Sequence, residues 1–375
     1  MPTPDQMTRH YLDHASTSRL RPEARAAVVE ALDEVGDPSR IHVEGMAARL
    51  RVETAREQVA ALVGARSREV VFTSGATESI AMAAWGARDR GRHSVVTAVE
   101  HSAVRDTAAR GPMTVVPVDR AGRVDPDQVL DAVTGETGVV HVQWGNHEVG
   151  TTQPVEEIVA RCRERDLLVH VDAAQAVGHV PVSFSTLGAD LVSVSAHKFG
   201  GPPGVGALLV RRGLRLAPLL LGGDQERARR AGTENVPAIA GFGAAAAALS
   251  PDRLVDEGRL ARRLTDRLVA EVTRVAGIRA YGDPDDRLPH ITCFGLDDIE
   301  PQAVLLGLDR AGIAAHSGSA CSSESLEPSP VLEAMGVDAH RSLRLSVGWD
   351  STDAAVDAVV DSLPVVVEQL RALRG

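Results

Sequence analysis

Cysteine is scarce in this chain: Cys162, Cys293 and Cys321 are the three in 375 residues. That number and spacing exclude a disulfide framework and supply no paired metal-ligand motif. A reducing cytoplasm is therefore the simplest expected compartment. Long basic blocks are missing too, and the net charge is −11, which argues against nucleic acid or an anionic membrane as the main partner. The short basic cluster Arg227-Ala228-Arg229-Arg230 reads as a solvated face. No apolar run approaches the roughly 20 residues of a membrane span. The stretch from Met1 to His10 lacks the apolar segment of a secretory leader. Internal repeats and low-complexity linkers are likewise absent.

What is present is a chain with 44% hydrophobic and 24% charged residues, long enough for a large core and two domains. From about residue 20 to 250, helical patterns alternate with short valine-rich runs. Arg49 to Val63 reads as a helix. Val70 to Phe72, Ser94 to Val96, Val115 to Val118, Val139 to Val142, Leu167 to Val171, Leu191 to Val194 and Gly206 to Val210 read as strands. Continuous apolar strands of this kind suit a mostly parallel sheet covered by helices on both faces. The expected fold class is therefore α/β with a seven-stranded sheet. Val155, Ile158, Val159 and Cys162 fall at helical spacing, which makes Cys162 a core residue. After Pro251 the rhythm changes to a long helix (Val255 to Val275) and alternating segments such as His290 to Phe294. That change fits a smaller α+β unit, with Cys293 structural within it.

Chemistry-bearing residues stand just after several of the predicted strands, where open α/β sheets collect ligands. The run Val169-His170-Val171 ends in Asp172, followed by Ala173-Ala174-Gln175. The run ending at Val194 continues Ser195-Ala196-His197-Lys198 into the glycine-rich turn Gly200-Gly201-Pro202-Pro203-Gly204. A carboxylate that can hold a pyridinium nitrogen and a lysine that can form a Schiff base are the protein half of pyridoxal phosphate chemistry. Desolvation would lower the lysine pKa and make it a better nucleophile and base. Ser74-Gly75-Ala76-Thr77 follows a strand and opens a helix. Small residues there can wrap a phosphate with backbone N–H groups, although Ser and Thr are also ordinary helix caps. His101 follows another strand, and its flat imidazole suits stacking on a pyridine ring.

In their order, Ser74-Gly75-Ala76-Thr77-Glu78-Ser79, Glu100-His101, Asp172-Ala173-Ala174-Gln175 and Ser195-Ala196-His197-Lys198 resemble the class V aminotransferase superfamily of fold-type I pyridoxal phosphate enzymes. Within it the chain is similar to the cysteine desulfurases. Tyr11-Leu12-Asp13-His14-Ala15 resembles that family's opening motif. His316-Ser317-Gly318-Ser319-Ala320-Cys321, followed by Leu326-Glu327-Pro328-Ser329, resembles its active-site cysteine motif. The resemblance covers nearly the whole chain. It implies a large cofactor-binding domain at 16–250, and a small α+β domain from 1–15 and 251–375 that carries the cysteine loop.

The resemblance also implies roles. Lys198 would hold pyridoxal 5′-phosphate and take the substrate Cα proton. Asp172 would pair with the pyridinium nitrogen, Gln175 would bond the phenolic oxygen, and His101 would stack on the ring and shuttle a proton. Thr77, Ser195, His197 and the Ala76 backbone would hold the phosphate. Thr233 would reach the phosphate of a neighbouring subunit, which implies a homodimer. Arg344 would clamp the carboxylate of L-cysteine, because its planar fork binds carboxylates bidentately. Cys321, among the small polar residues Gly318, Ser319, Ser322 and Ser323, would take the substrate sulfur as a persulfide and pass it to an acceptor protein of unknown identity.

The chain departs from the family at two substrate-side positions. His147 stands where an asparagine is usual, with Asn146 as a neighbour that compensates only if the loop shifts. Asp37 replaces another asparagine and adds a negative charge unless it pairs with an arginine such as Arg40. Better-known members run on into a tail that docks an iron–sulfur scaffold, and the scaffold partner is not carried over. The expected function is cysteine desulfuration. A selenocysteine lyase or other C–S lyase, a class V aminotransferase, and a non-catalytic paralogue that regulates another desulfurase remain as alternatives.

Overall fold

The computed structural model describes residues 9–317 and 328–373. Its strands, in chain order, are β1 (His10–Tyr11), β2 (Val70–Thr73), β3 (His93–Thr97), β4 (Met113–Val116), β5 (Thr137–Gln143), β6 (Val169–Asp172), β7 (Leu191–Ser195), β8 (Gly206–Val210), β9 (Ile278–Tyr281), β10 (Ile291–Leu296), β11 (Ile313–Ala314) and β12 (Ser342–Ser346). Among the described residues they form a seven-stranded sheet of order β2-β8-β7-β6-β5-β3-β4, a three-stranded sheet β12-β10-β9, and the pair β1-β11. In the large sheet β8 is antiparallel to both neighbours and the other pairings are parallel. The expected α/β fold with a mostly parallel seven-stranded sheet is what the chain adopts.

Every residue of β2, β3, β5, β6, β7 and β8 is buried. Helices cover both faces, so neither face can carry polar residues facing water, and the strands read as unbroken apolar runs. Helix Val155–Glu164 turns Val155, Ile158, Val159 and Cys162 into this core, as their spacing requires. Burial raises the Cys162 thiol to about 11 and pushes the Cys293 thiol up as well. Neither sulfur is a thiolate at neutral pH, so both are structural.

Two segments differ from the reading of the sequence. The edge strand β4 begins two residues earlier than its valine run suggests. Pairing with β3 sets its register (Ser94 with Met113, Thr97 with Val116), and Pro117 has no N–H with which to extend the ladder. The segment expected from His290 to Phe294 begins one residue later, as part of β10, the middle strand of its sheet, which is buried throughout rather than on alternate residues. The helix Pro251–Val272 begins where Pro251 occupies the first turn and Ser250 accepts the Arg253 N–H. Among the described residues no helix is long and apolar enough to cross a membrane.

Two apolar clusters are the largest among the described residues. One holds the large sheet and includes Ala15; the other packs β10 and β12 against helices Pro251–Val272 and Asp353–Ala372 and includes Leu12. The chain therefore passes from one core to the other within a few residues of Ala15, beside the lysine loop.

At the open edge of β2 an ion pair takes the place of a neighbouring strand. Glu226 accepts the Phe72 N–H at 2.8 Å, and Arg56 donates to the Val70 carbonyl at 3.0 Å. The two side chains meet through both guanidinium ends, at 2.6 and 2.7 Å, and both are buried. Glu226, Arg227 and Ala228 all have positive φ, an uncommon conformation for residues with a Cβ. The pair anchors this strained turn. Truncating Glu226 leaves the buried Arg56 guanidinium with only the half-exposed Glu53 carboxylate, 3.1 Å from its Nε, as a charged partner, so Glu226→Ala is expected to cost about 3 kcal/mol. Urea denaturation of the variant checks this, and a loss under 1 kcal/mol would contradict it.

Candidate active site

The parallel strands β3, β5, β6 and β7 end at one edge of the sheet, and β2 ends beside them. The residues that follow them line a cavity of about 370 Å³. Ser74, Gly75, Ala76 and Thr77 come from the β2 end, His101 from beyond β3, Gln143, Gly145 and His147 from β5, Asp172 and Gln175 from β6, and Ser195, His197 and Lys198 from β7. Of the residues singled out from the sequence, Ala76, Thr77, His101, His147, Asp172, Gln175, Ser195, His197 and Lys198 therefore share one cavity.

The β2 end is shaped for an anion. Gly75 occupies the cap position of helix Ala76–Gly86, and no side chain caps that helix. Thr77 lies inside the first turn rather than at the cap. Gly75 has φ +154°, a region that side chains rarely adopt, and a Cβ built on it would meet nothing within 4 Å. Beneath it, a Cβ on Gly206 would lie 2.7 Å from the Gly75 Cα, so glycine lets β8 pass close under the turn. Uncapped backbone N–H groups and the positive end of the helix dipole converge here, with Ser195 and His197 on the same wall.

Lys198 Nζ donates to the carbonyls of Ala15 at 2.7 Å and Ser16 at 3.0 Å. The residue is partly buried and lines the cavity. Burial, with Arg344 adding to it, lowers its pKa from 10.5 to about 8. Asp172 accepts the Ala174 N–H at 3.0 Å. Burial raises its pKa, opposed by that hydrogen bond and by the nearby His147 and Lys198. His101 accepts the Ala103 N–H at Nδ1, which places its own proton on Nε2. Burial first, then His147 and Lys198, lower it to about 3, so the ring is neutral. Burial and then Lys198 also lower His197 to about 4.

The two departures occupy different places. His147 lines the cavity, meets His101 edge-on with centroids 5.0 Å apart, and has Nε2 3.6 Å from Glu148 Oε1. Asn146 does not compensate for it: its amide is spent on the Val99 carbonyl and the Glu148 and Val149 N–H groups. Asp37 is not in the cavity wall; it pairs with Arg40 at 3.1 Å and bonds Ser39. Thr233 is exposed and also outside the cavity of its own chain. Arg344, on β12, is buried; it donates to the His147 carbonyl, to Asp13 at 3.0 Å and to Ser16 Oγ at 2.7 Å. Its Nε has no partner among the described residues. Cys321 lies outside the described residues.

Other residues of the site were given no role from the sequence, although Glu100 and Asp13 stand within its motifs. Gln143 ends β5 just as Asp172 ends β6, and the two are register partners; a polar residue closing an apolar run was the available signal. Glu100 is wholly buried and accepts from Thr97 Oγ1 at 2.7 Å and the Gln143 N–H at 2.8 Å. Burial pushes it up to about 8, with Asp172 adding to the rise. That rise disfavours a second negative charge beside Asp172. Asp13 and Ser16 reach Arg344 from more than 300 residues away in the chain, a pairing without a local signal.

A buried lysine and a buried carboxylate at adjacent strand ends, beside an anion-ready helix start, define a class of site as well as a fold. The family model for aminotransferase class-V matches residues 10–359, and the chain belongs to that family. Among curated relatives, a cysteine desulfurase of Trichormus azollae is 44% identical over 97% of this chain and 94% of its own length. A solved structure of a NifS-like protein superposes with TM-score 0.90 at 32% identity, covering 97% of this chain and all of the other. A structure of SspA in complex with cysteine matches at TM-score 0.80 and 28% identity, over 90% of this chain and 98% of that one.

Proposed function

We propose that the protein is a homodimeric cysteine desulfurase that uses pyridoxal 5′-phosphate to turn L-cysteine into L-alanine. The sulfur is left as a persulfide on Cys321 for an acceptor protein. The observation that carries this reading is the placement of Lys198, Asp172 and His101 around one cavity whose β2 end is built for an anion.

The residues present fit the cofactor. The open space over Gly75 and the uncapped helix start suit its phosphate, and Asp172 suits its ring nitrogen. When bound, the cofactor withdraws electrons from the Cα of the amino acid attached to it. Lys198 Nζ, desolvated and nearer neutrality than a surface lysine, would hold the cofactor and would take up the Cα proton. Asp172 would be kept ionised by a protonated ring nitrogen, whose positive charge would offset its burial. His101, a neutral imidazole, would cover the ring face. Ala76, Thr77, Ser195 and His197 hold the phosphate, with Thr233 of a second copy completing it. Arg344 binds the substrate carboxylate and shares its guanidinium with Asp13. His147 stands in the wall where the family has asparagine and offers an imidazole N–H in its place. Cys321 accepts the sulfur as the C–S bond breaks, so that one L-cysteine and one thiol give one L-alanine and one persulfide.

Product analysis tests the reading. L-cysteine and a reductant are expected to give alanine and sulfide in equal amounts. Pyruvate as the main product would mean a C–S lyase, and a keto acid with retained sulfur would mean an aminotransferase. A larger preference for selenocysteine than for cysteine would move the substrate assignment.

The lysine supplies a pH prediction. Its pKa lies below the ordinary 10.5, at about 8, so the neutral amine needed for attachment already predominates just above pH 8. Cofactor incorporation into apo-protein, followed by absorbance, is expected to speed up as pH rises to about 8 and then level off. A rate that climbs on toward pH 10.5 would show a lysine with no desolvation.

A further inference from the structure

Behind the cavity wall lie two histidines without an assigned role. His179 and His290 stack with ring centroids 3.5 Å apart and planes 10° from parallel. Both are neutral: burial lowers His179 to about 4 and His290 well below its ordinary value. The groups facing the pair include His14, Lys198, Arg344, Arg21 and Glu257. With three of them cationic at neutral pH, a charged imidazole here would be repelled as well as desolvated.

Hydrogen bonding fixes which nitrogen of each ring carries the proton. His290 Nε2 lies 3.3 Å from the Gln175 side-chain oxygen, an acceptor, so Nε2–H donates. Its Nδ1 is then a bare acceptor, and it has no partner among the described residues. His179 Nε2 lies 3.0 Å from the Lys198 carbonyl and donates likewise. Gln175 in turn donates one amide hydrogen to the Ala15 carbonyl at 2.8 Å. That same carbonyl receives Lys198 Nζ.

The Gln175 amide is therefore read at both ends. Its oxygen is held on an N–H that only donates, and its nitrogen on a carbonyl that only accepts. A flipped amide would set oxygen against oxygen at Ala15, and would keep a bond to His290 only through the other tautomer, whose Nδ1–H has no acceptor among the described residues. The second amide hydrogen is left for the cavity, which Gln175 lines. We propose that His290, held in place by its stack on His179, is a positioning residue that locks the Gln175 amide so that it presents a donor to the cofactor's ring oxygen. The proposal rests on the pyridoxal phosphate reading above and deepens it. A locked donor stabilises the ring oxygen as an anion and so lowers the pH midpoint at which the bound cofactor's visible absorption titrates.

The test is that midpoint, measured on holoenzyme. His290→Phe keeps a stacking ring and removes the N–H; the midpoint is expected to rise by about half to one pH unit, the size of one neutral hydrogen bond. His290→Gln restores a donor near the Nε2 position and is expected to return the midpoint to the wild-type value. In a Gln175→Ala background, His290→Phe is expected to shift nothing further. No shift in His290→Phe, or the same shift with and without Gln175, overturns the proposal. Should the phenylalanine variant fail to fold, His290→Gln is compared with His290→Asn, whose amide is too short to reach; equal midpoints in that pair overturn it. A wild-type protein that shows no visible band with pyridoxal phosphate refutes the cofactor reading instead, and the two failures are thus distinct.

Discussion

Lys198→Ala is expected to lower alanine formation from L-cysteine by about 10⁴-fold, the upper end of what one positioned acid–base group contributes. Lys198 is asked both to attach the cofactor and to move the Cα proton, and no other lysine is available: it is the only one in the sequence. The cationic groups of this chain are otherwise arginines, whose protons do not leave at working pH. Lys198→Arg should therefore be as inactive as the alanine variant although it keeps the charge. The truncation also takes a donor from the Ser16 carbonyl and from the Ala15 carbonyl, which keeps only Gln175, so a thermal melt must accompany the kinetics. A folded variant that recovers part of its rate with an added small amine supports the role. A folded variant within tenfold of wild type would refute it.

Cys321→Ala is expected to abolish alanine and persulfide formation while cofactor binding stays intact. The other two cysteines cannot replace it, because Cys162 and Cys293 are buried and their thiols are raised to where no useful thiolate exists at neutral pH. Loss of the rate should thus approach completeness rather than a partial fall. The checks are alanine assay, detection of protein-bound sulfur by mass spectrometry, and the visible spectrum of the holoenzyme. Equal turnover by the variant would place the protein among C–S lyases.

The parts of the site legible in the sequence are those that follow a strand. Asp172, Lys198 and His101 each stand just past an apolar run, and parallel strands bring such positions to one edge whatever the intervening helices are. Cys162 was legible because helical spacing alone decides which face it takes. The reading was weakest where partners are remote in the chain. Nothing near His290 announces Gln175, which lies 115 residues away. Nothing near Glu226 announces Arg56, 170 residues away.

What the sequence determined by itself was local: the period of each element, the residues closing each strand, and the order of motifs that marks the family. Only the tertiary structure decided the protonation landscape. Whether Lys198 titrates near 8 or above 10, and whether Glu100 is an acid or a carboxylate, depends on how much water and which charges surround each group. Those surroundings are assembled from both cores and from both ends of the chain, so no window of sequence contains them. The same holds for the edge of β2, where a buried ion pair does the work of a strand. Packing across the whole chain, rather than propensity along it, sets that contact.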